Sequence, residues 1–251
     1  MQNRIYQAII LAGGRGTRMQ STNTNKVMRE IAGKPMLDYP VSALEKLDKE
    51  LKLGKPIAVV GFAQESIRSY FGERLIYAEQ KEALGTADAV RAAVPYIRPE
   101  TTDVFVLYGD HSTFYTADFL RGLAEAHVQK EAAMTLVTTH TNPAGYGRIL
   151  RDAQGRMIGI VEEKVASEEQ KKITEISTGN AIYSTAFLNT YLPQIQMNPV
   201  SKEYYFTDIV ELAVRNNERL EAYVADDETI GMGVNTPDQL IIAQQAMNSR
   251  N

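Results

Sequence analysis

The chain has 251 residues, a net charge of −4, 44% hydrophobic and 23% charged residues, and neither cysteine nor tryptophan. A chain of that size buries a large core, and its mild acidity excludes a general nucleic-acid or anionic-membrane surface. The lack of cysteine excludes disulfides, cysteine–zinc centres and thiol chemistry and fits a cytoplasmic location; no apolar run reaches signal or membrane-spanning length, so no targeting segment is expected.

Residues 8–11 are an apolar run that reads as a buried strand. It leads into Leu-Ala-Gly-Gly-Arg-Gly-Thr-Arg-Met at 11–19 and on to Lys26, a glycine-rich turn carrying Arg15, Arg18 and Lys26. Glycines let backbone N–H groups approach a ligand closely and the cations neutralise anionic oxygens, so this loop reads as a phosphate holder. It is not a P-loop, because no Gly-Lys-Ser/Thr follows at the required spacing. Nor is it a dinucleotide fingerprint, because Met19 stands where the third glycine belongs. The bland alternative is a plain strand-to-helix turn, which seldom combines so many glycines with so many cations.

Further along, Pro35 opens a helix whose face includes Met36, Leu37, Val41, Leu44 and Leu47; residues 56–62 read as a strand, 66–71 as a short helix and 75–79 as a strand. Residues 86–94 are helical and lead to an apolar strand over 103–110 that ends in a carboxylate. A helix over 118–130 and a strand over 134–139 follow. This alternation implies an α/β fold with parallel strands joined by crossover helices. From Asn142 the texture changes to a hairpin with Gln154-Gly155 at its turn, a second strand through Val161, a charged helical stretch over 167–172 and a strand over 176–183, read as an inserted substrate lobe. Residues 207–216 are helical, and Thr236-Pro237 starts the last helix as N-cap and first helical residue.

Asp110 follows the end of its strand as Gly14 follows the first, and ligands of open α/β sheets bind beyond strand carboxyl ends, so the two are expected to face one cleft. A single carboxylate beside a phosphate loop is a common way to hold Mg²⁺, which keeps several waters and takes further ligands from phosphate oxygens. Asn235 offers an amide oxygen, although such a residue ahead of a helix is more often a cap. Asp226-Asp-Glu228 and residues 167–172 read as solvated turn and helix face.

These segments together resemble the N-terminal uridylyltransferase domain of the GlmU family, within the sugar-nucleotide nucleotidyltransferases. The resemblance spans nearly the whole chain. It rests on the 11–19 motif, Ala-Gly-Lys-Pro-Met at 32–36, Gln-Lys-Glu-Ala-Leu-Gly-Thr-Ala-Asp-Ala at 80–89, Leu-Tyr-Gly-Asp at 107–110, Gly-Tyr-Gly-Arg-Ile at 145–149, Gly-Ile-Val-Glu-Glu-Lys at 159–164, Glu-Tyr-Tyr-Phe-Thr-Asp at 203–208 and Gly-Val-Asn at 233–235. It implies a Rossmann-like three-layer α/β fold with a mixed, mainly parallel sheet. Residues 1–251 would form a single nucleotidyltransferase domain, with a small sugar-binding lobe over about 142–206. The family's β-helix acetyltransferase domain is not expected within these residues.

The resemblance implies that Leu11, Ala12, Gly13 and Gly14 with Gln80 recognise uracil and ribose, and that Gly85, Thr86, Tyr108 and Gly109 complete the nucleotide site. Gln80 suits uracil because an amide offers both a donor and acceptors. Arg15 and Lys26 would hold the triphosphate as the catalytic cations, Asp110 and Asn235 would hold Mg²⁺, and Gly147, Glu162, Ser177 and Thr207 would line the sugar pocket, with Tyr204 and Tyr205 as a further wall. The implied partners are UTP and a sugar 1-phosphate, N-acetylglucosamine 1-phosphate first, giving a UDP-sugar for cell-wall precursors and pyrophosphate in the cytoplasm. No general base is required, because a phosphate monoester is already largely ionised near neutrality. Accordingly the histidines carry no expected role: His127 lies in a helix, His140 near a strand end, and only His111 adjoins the site.

Four departures stand out. Asn25 replaces the family's usual proline before its lysine, so the loop carrying Lys26 is expected to be less rigid. Ser177 replaces an asparagine that contacts the sugar, and Asn180 occupies a usually apolar position. Val165 replaces a common acidic residue after Lys164. Another hexose 1-phosphate, phosphocholine or another nucleotide, and a non-catalytic sugar-nucleotide sensor, stay open as alternatives.

Overall fold

The computed structural model of the chain describes residues 4–19 and 24–250. The part of the glycine-rich loop at 20–23 therefore lies outside the described residues. In chain order the elements are β1 (Tyr6–Leu11), β2 (Glu30–Ile31), β3 (Lys34–Pro35), α1 (Asp38–Leu47), β4 (Ile57–Val60), α2 (Gln64–Phe71), β5 (Ile76–Glu79), α3 (Thr86–Ala93), β6 (Asp103–Tyr108), α4 (Ala117–Gln129), β7 (Met134–His140), β8 (Arg148–Arg151), β9 (Met157–Val161), α5 (Glu168–Lys171), β10 (Glu175–Ser184), α6 (Thr185–Tyr191), α7 (Asp208–Arg215), β11 (Leu220–Ala225) and α8 (Pro237–Asn248).

The main path of the sheet runs β11-β7-β10-β6-β1-β4-β5, with the β8–β9 hairpin attached to β10 through Ile176 opposite Arg148. Its neighbours are parallel except where β10 runs antiparallel to both β6 and β7. Alternation along β1 divides the core. Ala8 and Ile10 pack with α1, α2, α4 and α8 on one face, and Ile9 packs with α3, α6 and α7 on the other. That is the mixed, mainly parallel three-layer α/β arrangement expected. Strand β10 belongs to this central sheet, so the lobe that begins after β7 is continuous with the core and not a separate body.

Three local readings change. The helix expected from Pro35 begins at Asp38, because Ala32 and Gly33, both at positive φ (49° and 77°), turn the chain into the β2–β3 hairpin first. Met36 and Leu37 are nevertheless buried in the core that the helical reading assigned them. Helix α6 and strand β11 were missing from the sequence reading; α6 is announced only by Ser184, whose side chain caps Phe187 N. No helix among the described residues is long and apolar enough to cross a membrane.

Candidate functional site

The turn after β1 sits between the ends of two neighbouring strands. Ala12 N donates to Val59 O (2.9 Å), Phe62 N to Gly13 O (3.2 Å) and Gly109 N to Leu11 O (3.0 Å), so the glycine loop, the β4 exit and the β6 exit form one ledge. Gly16 adopts φ +59°, and a Cβ there would lie 2.7 Å from the Lys26 Cβ; only glycine lets the loop close over that lysine. Arg15 is exposed on this loop and forms no ion pair with any described residue, whereas Arg18 reaches back into the site.

Asn25 does not loosen the loop as its replacement of proline suggested. It is 1% exposed, its Nδ2 donates to Ala12 O and Phe62 O (2.8 Å each), and its Oδ1 accepts from Val27 N (3.1 Å), capping the short 3₁₀ turn Lys26–Met28. Three side-chain hydrogen bonds therefore do what a fixed φ would have done, and they tie Lys26 directly to the ledge.

Lys26, Asp110 and Asn235 meet although they lie far apart in sequence. Val234 N donates to Asp110 O (2.9 Å), which lays the segment before α8 against the β6 exit. Thr236, not Asn235, caps α8, and Gln239 Oε1 accepts from Asn235 N (2.7 Å), so the Asn235 side chain is free to face the site. Its Oδ1 accepts from Lys26 Nζ (2.9 Å) and from Arg18 (3.0 Å), and Lys26 Nζ also pairs with the Asp110 carboxylate. Burial works to raise the Asp110 carboxyl, but the His111 ring and the Lys26 ammonium outweigh it and hold the pKa below its ordinary value. The His111 pKa is lowered as well, first by burial and then by the Lys26 and Arg18 charges, against the pull of Asp110.

Beside this cluster opens a cavity of about 420 Å³. Gly147, Glu162, Ser177 and Thr207 line it together with Arg18, Asp110 and Asn235, which brings together all four residues assigned to the sugar. Ser177 is buried, and its hydroxyl accepts from Gly179 N (3.2 Å) at a bulge in β10 between Ser177 and Ala181. Asn180 is fully buried there: its Oδ1 accepts from Tyr108 N (2.6 Å) and its Nδ2 donates to His111 O (3.2 Å) and Tyr115 Oη (2.9 Å). The bulge that walls the cavity is thus tied to the strand end that carries Asp110. Desolvation and then the charge of Asp208 raise the Glu162 carboxyl above its ordinary value, with Arg148 opposing them. Burial pushes the Tyr108 hydroxyl up to about 12, so it stays protonated at neutral pH.

Tyr204 and Tyr205 do not wall the cavity. Tyr204 packs under the Arg91 guanidinium (4.5 Å) and its backbone pins the start of α3, accepting from Ala87 N (3.0 Å) and donating to Leu84 O (2.7 Å). Thr86 Oγ1 accepts from Phe206 N (2.9 Å), so Gly85 and Thr86 are held at one end by the motif that sends Thr207 to the cavity. Gln80 sits across the ledge from Gly13, and its Nε2 donates to Gly85 O and to Asp88 Oδ2 (2.9 Å each). Both donors of its amide are committed inside the protein, contrary to the expectation that it offers a ligand donor and acceptor alike.

The two other histidines are structural in their surroundings: His127 is buried against Thr135 and Asp103, and His140 is exposed beside Thr174. Sequence reasoning missed Tyr146 and Gln239 in the cavity wall and Asp88 behind Gln80. Arg18 carried a signal in its loop, and Tyr146 and Asp88 lie inside the motifs at 145–149 and 80–89; Gln239 shows none.

A glycine-rich turn bearing cations, a carboxylate beyond a strand end, an amide ahead of the last helix and an adjoining cavity on a mixed α/β sheet make up the layout of a nucleotidyltransferase. The chain belongs to the nucleotidyl transferase family, whose model matches residues 7–247. Among its curated relatives, it is 39% identical over 97% of its length to the bifunctional protein GlmU of Geobacillus sp. (strain WCH70), covering 52% of that protein. It is 38% identical over its full length to the bifunctional protein GlmU of Enterococcus faecalis, covering 53% of it, and 35% identical over 97% of its length to that of Bacillus subtilis, covering 52%. The chain spans about half the length of these relatives.

Proposed function

We propose that the chain joins UTP and N-acetylglucosamine 1-phosphate to give UDP-N-acetylglucosamine and pyrophosphate. The observation that carries this reading is the convergence of Lys26, Arg18, Asp110 and Asn235 beside a cavity that Arg18, Asp110 and Asn235 line together with Gly147, Glu162, Ser177 and Thr207. The names of the relatives support it. Because the sugar phosphate arrives ionised, its oxygen attacks the α-phosphorus without a base, and the work of the protein is to hold two polyanions in line. The exposed Arg15 and the tethered Lys26 supply positive charge where the triphosphate lies. The glycine ledge of residues 11–14 with Gln80, Gly85 and Thr86 holds the nucleoside, and Tyr108 and Gly109 close the nucleotide site beside Asp110.

The Asp110 and Asn235 oxygens converge on a single cation, the Lys26 ammonium, and such a sparse, all-oxygen pair fits Mg²⁺, which takes its remaining ligands from water and phosphate. Bound there, Mg²⁺ would neutralise charge on the phosphates. We place this chemistry in the cytoplasm, as a source of nucleotide sugar for cell-wall precursors. A panel of nucleoside triphosphates against sugar 1-phosphates, read as pyrophosphate release, tests it. Release is expected with UTP and N-acetylglucosamine 1-phosphate, and the absence of turnover with every pair would overturn it.

A further inference from the structure

The committed donors of Gln80 have a consequence for base choice. Gln80 follows β5, with its backbone N held by Val60 O (2.9 Å). Its amide has two N–H groups; one goes to Gly85 O and the other to the Asp88 carboxylate, each at 2.9 Å. Gly85 is itself fixed: it adopts φ +100°, and a Cβ on it would lie 2.5 Å from Tyr204 O. Asp88 is held by α3, whose first turn it occupies. Turning the amide over would set its oxygen against a carbonyl and a carboxylate, two acceptors facing an acceptor, so the surroundings fix which way it points. What remains for a ligand is Oε1, on the side facing Gly13.

We propose that Asp88 is a positioning residue for base selection, making Gln80 a one-way reader that accepts an N–H from the base and offers none. A base whose ring nitrogen carries hydrogen, such as uracil, satisfies that oxygen; cytosine presents a lone pair at the corresponding nitrogen and meets it with repulsion. The inference rests on the reading of Gln80 as a base contact, and the experiment separates the two. UDP and CDP are titrated calorimetrically into the wild-type protein and into its Gln80→Ala, Asp88→Ala and Asp88→Asn variants, each checked for folding by thermal unfolding. The wild type should prefer UDP. Asp88→Ala should lower the UDP-to-CDP affinity ratio by about tenfold or more, because the freed amide can reorient. Asp88→Asn, whose amide oxygen still accepts from Nε2, should keep the ratio. Parallel loss of both nucleotides in Asp88→Ala, or an unchanged ratio there while Gln80→Ala abolishes the preference, overturns the role of Asp88. No UDP binding by the wild type, or an unaltered preference in Gln80→Ala, overturns the base contact itself and the proposal with it.

Discussion

Replacing Asn25 with alanine removes two donated hydrogen bonds, to Ala12 O and Phe62 O, and one accepted from Val27 N, at a position only 1% exposed. At about 1 kcal/mol net for each bond the loss is about 3 kcal/mol, and the N-cap share of it agrees with the usual cost of about 1 kcal/mol for an uncapped helix start. For a chain of this length that is a fall in melting temperature of roughly 6–12 °C. Urea unfolding should show a lower midpoint with an unchanged slope. Asn25→Asp is the discriminating partner. If lost volume is what matters, aspartate should be milder than alanine. If the hydrogen bonds matter, aspartate should be worse, because it sets a carboxylate against two buried carbonyl oxygens. A loss below about 1 kcal/mol in the alanine variant, or an aspartate variant more stable than it, would refute the account.

Asp110→Asn should reduce Mg²⁺-dependent pyrophosphate release far more than metal-free nucleotide binding measured by calorimetry; equal losses would remove Asp110 from the metal. Lys26→Ala should lower kcat by at least about tenfold with little change in thermal stability, since its charge serves the reaction; unchanged pyrophosphate release would place it outside the chemistry. Ser177→Asn should shift kcat/KM among sugar 1-phosphates without altering the KM for UTP, and a uniform change across sugars would count against Ser177 as a sugar contact. Glu175 is buried, and although desolvation raises its carboxyl, the Arg151 guanidinium and Thr138 hydroxyl hold it below its ordinary value of 4.5. A depressed folded pKa gives stability that is present above pH 4.5 and lost as pH falls below it through the folded value, because the unfolded chain binds the proton first. Glu175→Gln should therefore cost about 2 kcal/mol at pH 7 in urea unfolding and flatten the acid limb of the stability curve.

What the sequence disclosed depended on how local the cause was. Short continuous apolar runs located β1, β4, β6 and β7, and Thr236-Pro237 located the start of α8, because those signals lie within a few residues. The rule that ligands gather beyond strand ends was enough to pair Asp110 with the glycine loop. Asn25 was misjudged because two of its partners are backbone carbonyls, which every residue has and no sequence pattern marks. Gln80 was half read for a related reason: its residue type revealed what the amide can offer, and only the fold revealed that Gly85 and Asp88 had already taken the donors. The start of α1 was missed because an Ala-Gly pair at positive φ overrode the helical signal of Pro35.

Lys26, Asp110 and Asn235 lie far apart along the chain, and among the described residues the last two are joined by one backbone bond, from Val234 to Asp110. During synthesis the glycine ledge and the β6 exit can therefore pair long before the Lys26–Asp110–Asn235 corner exists. That corner forms only when the segment ahead of α8 has left the ribosome and closed a loop of more than a hundred residues. Such long-range closure is slow and costs entropy that only the finished packing returns. The nascent protein thus carries the glycine ledge while the Lys26–Asp110–Asn235 corner is still open, and that corner closes only once the segment ahead of α8 has been made.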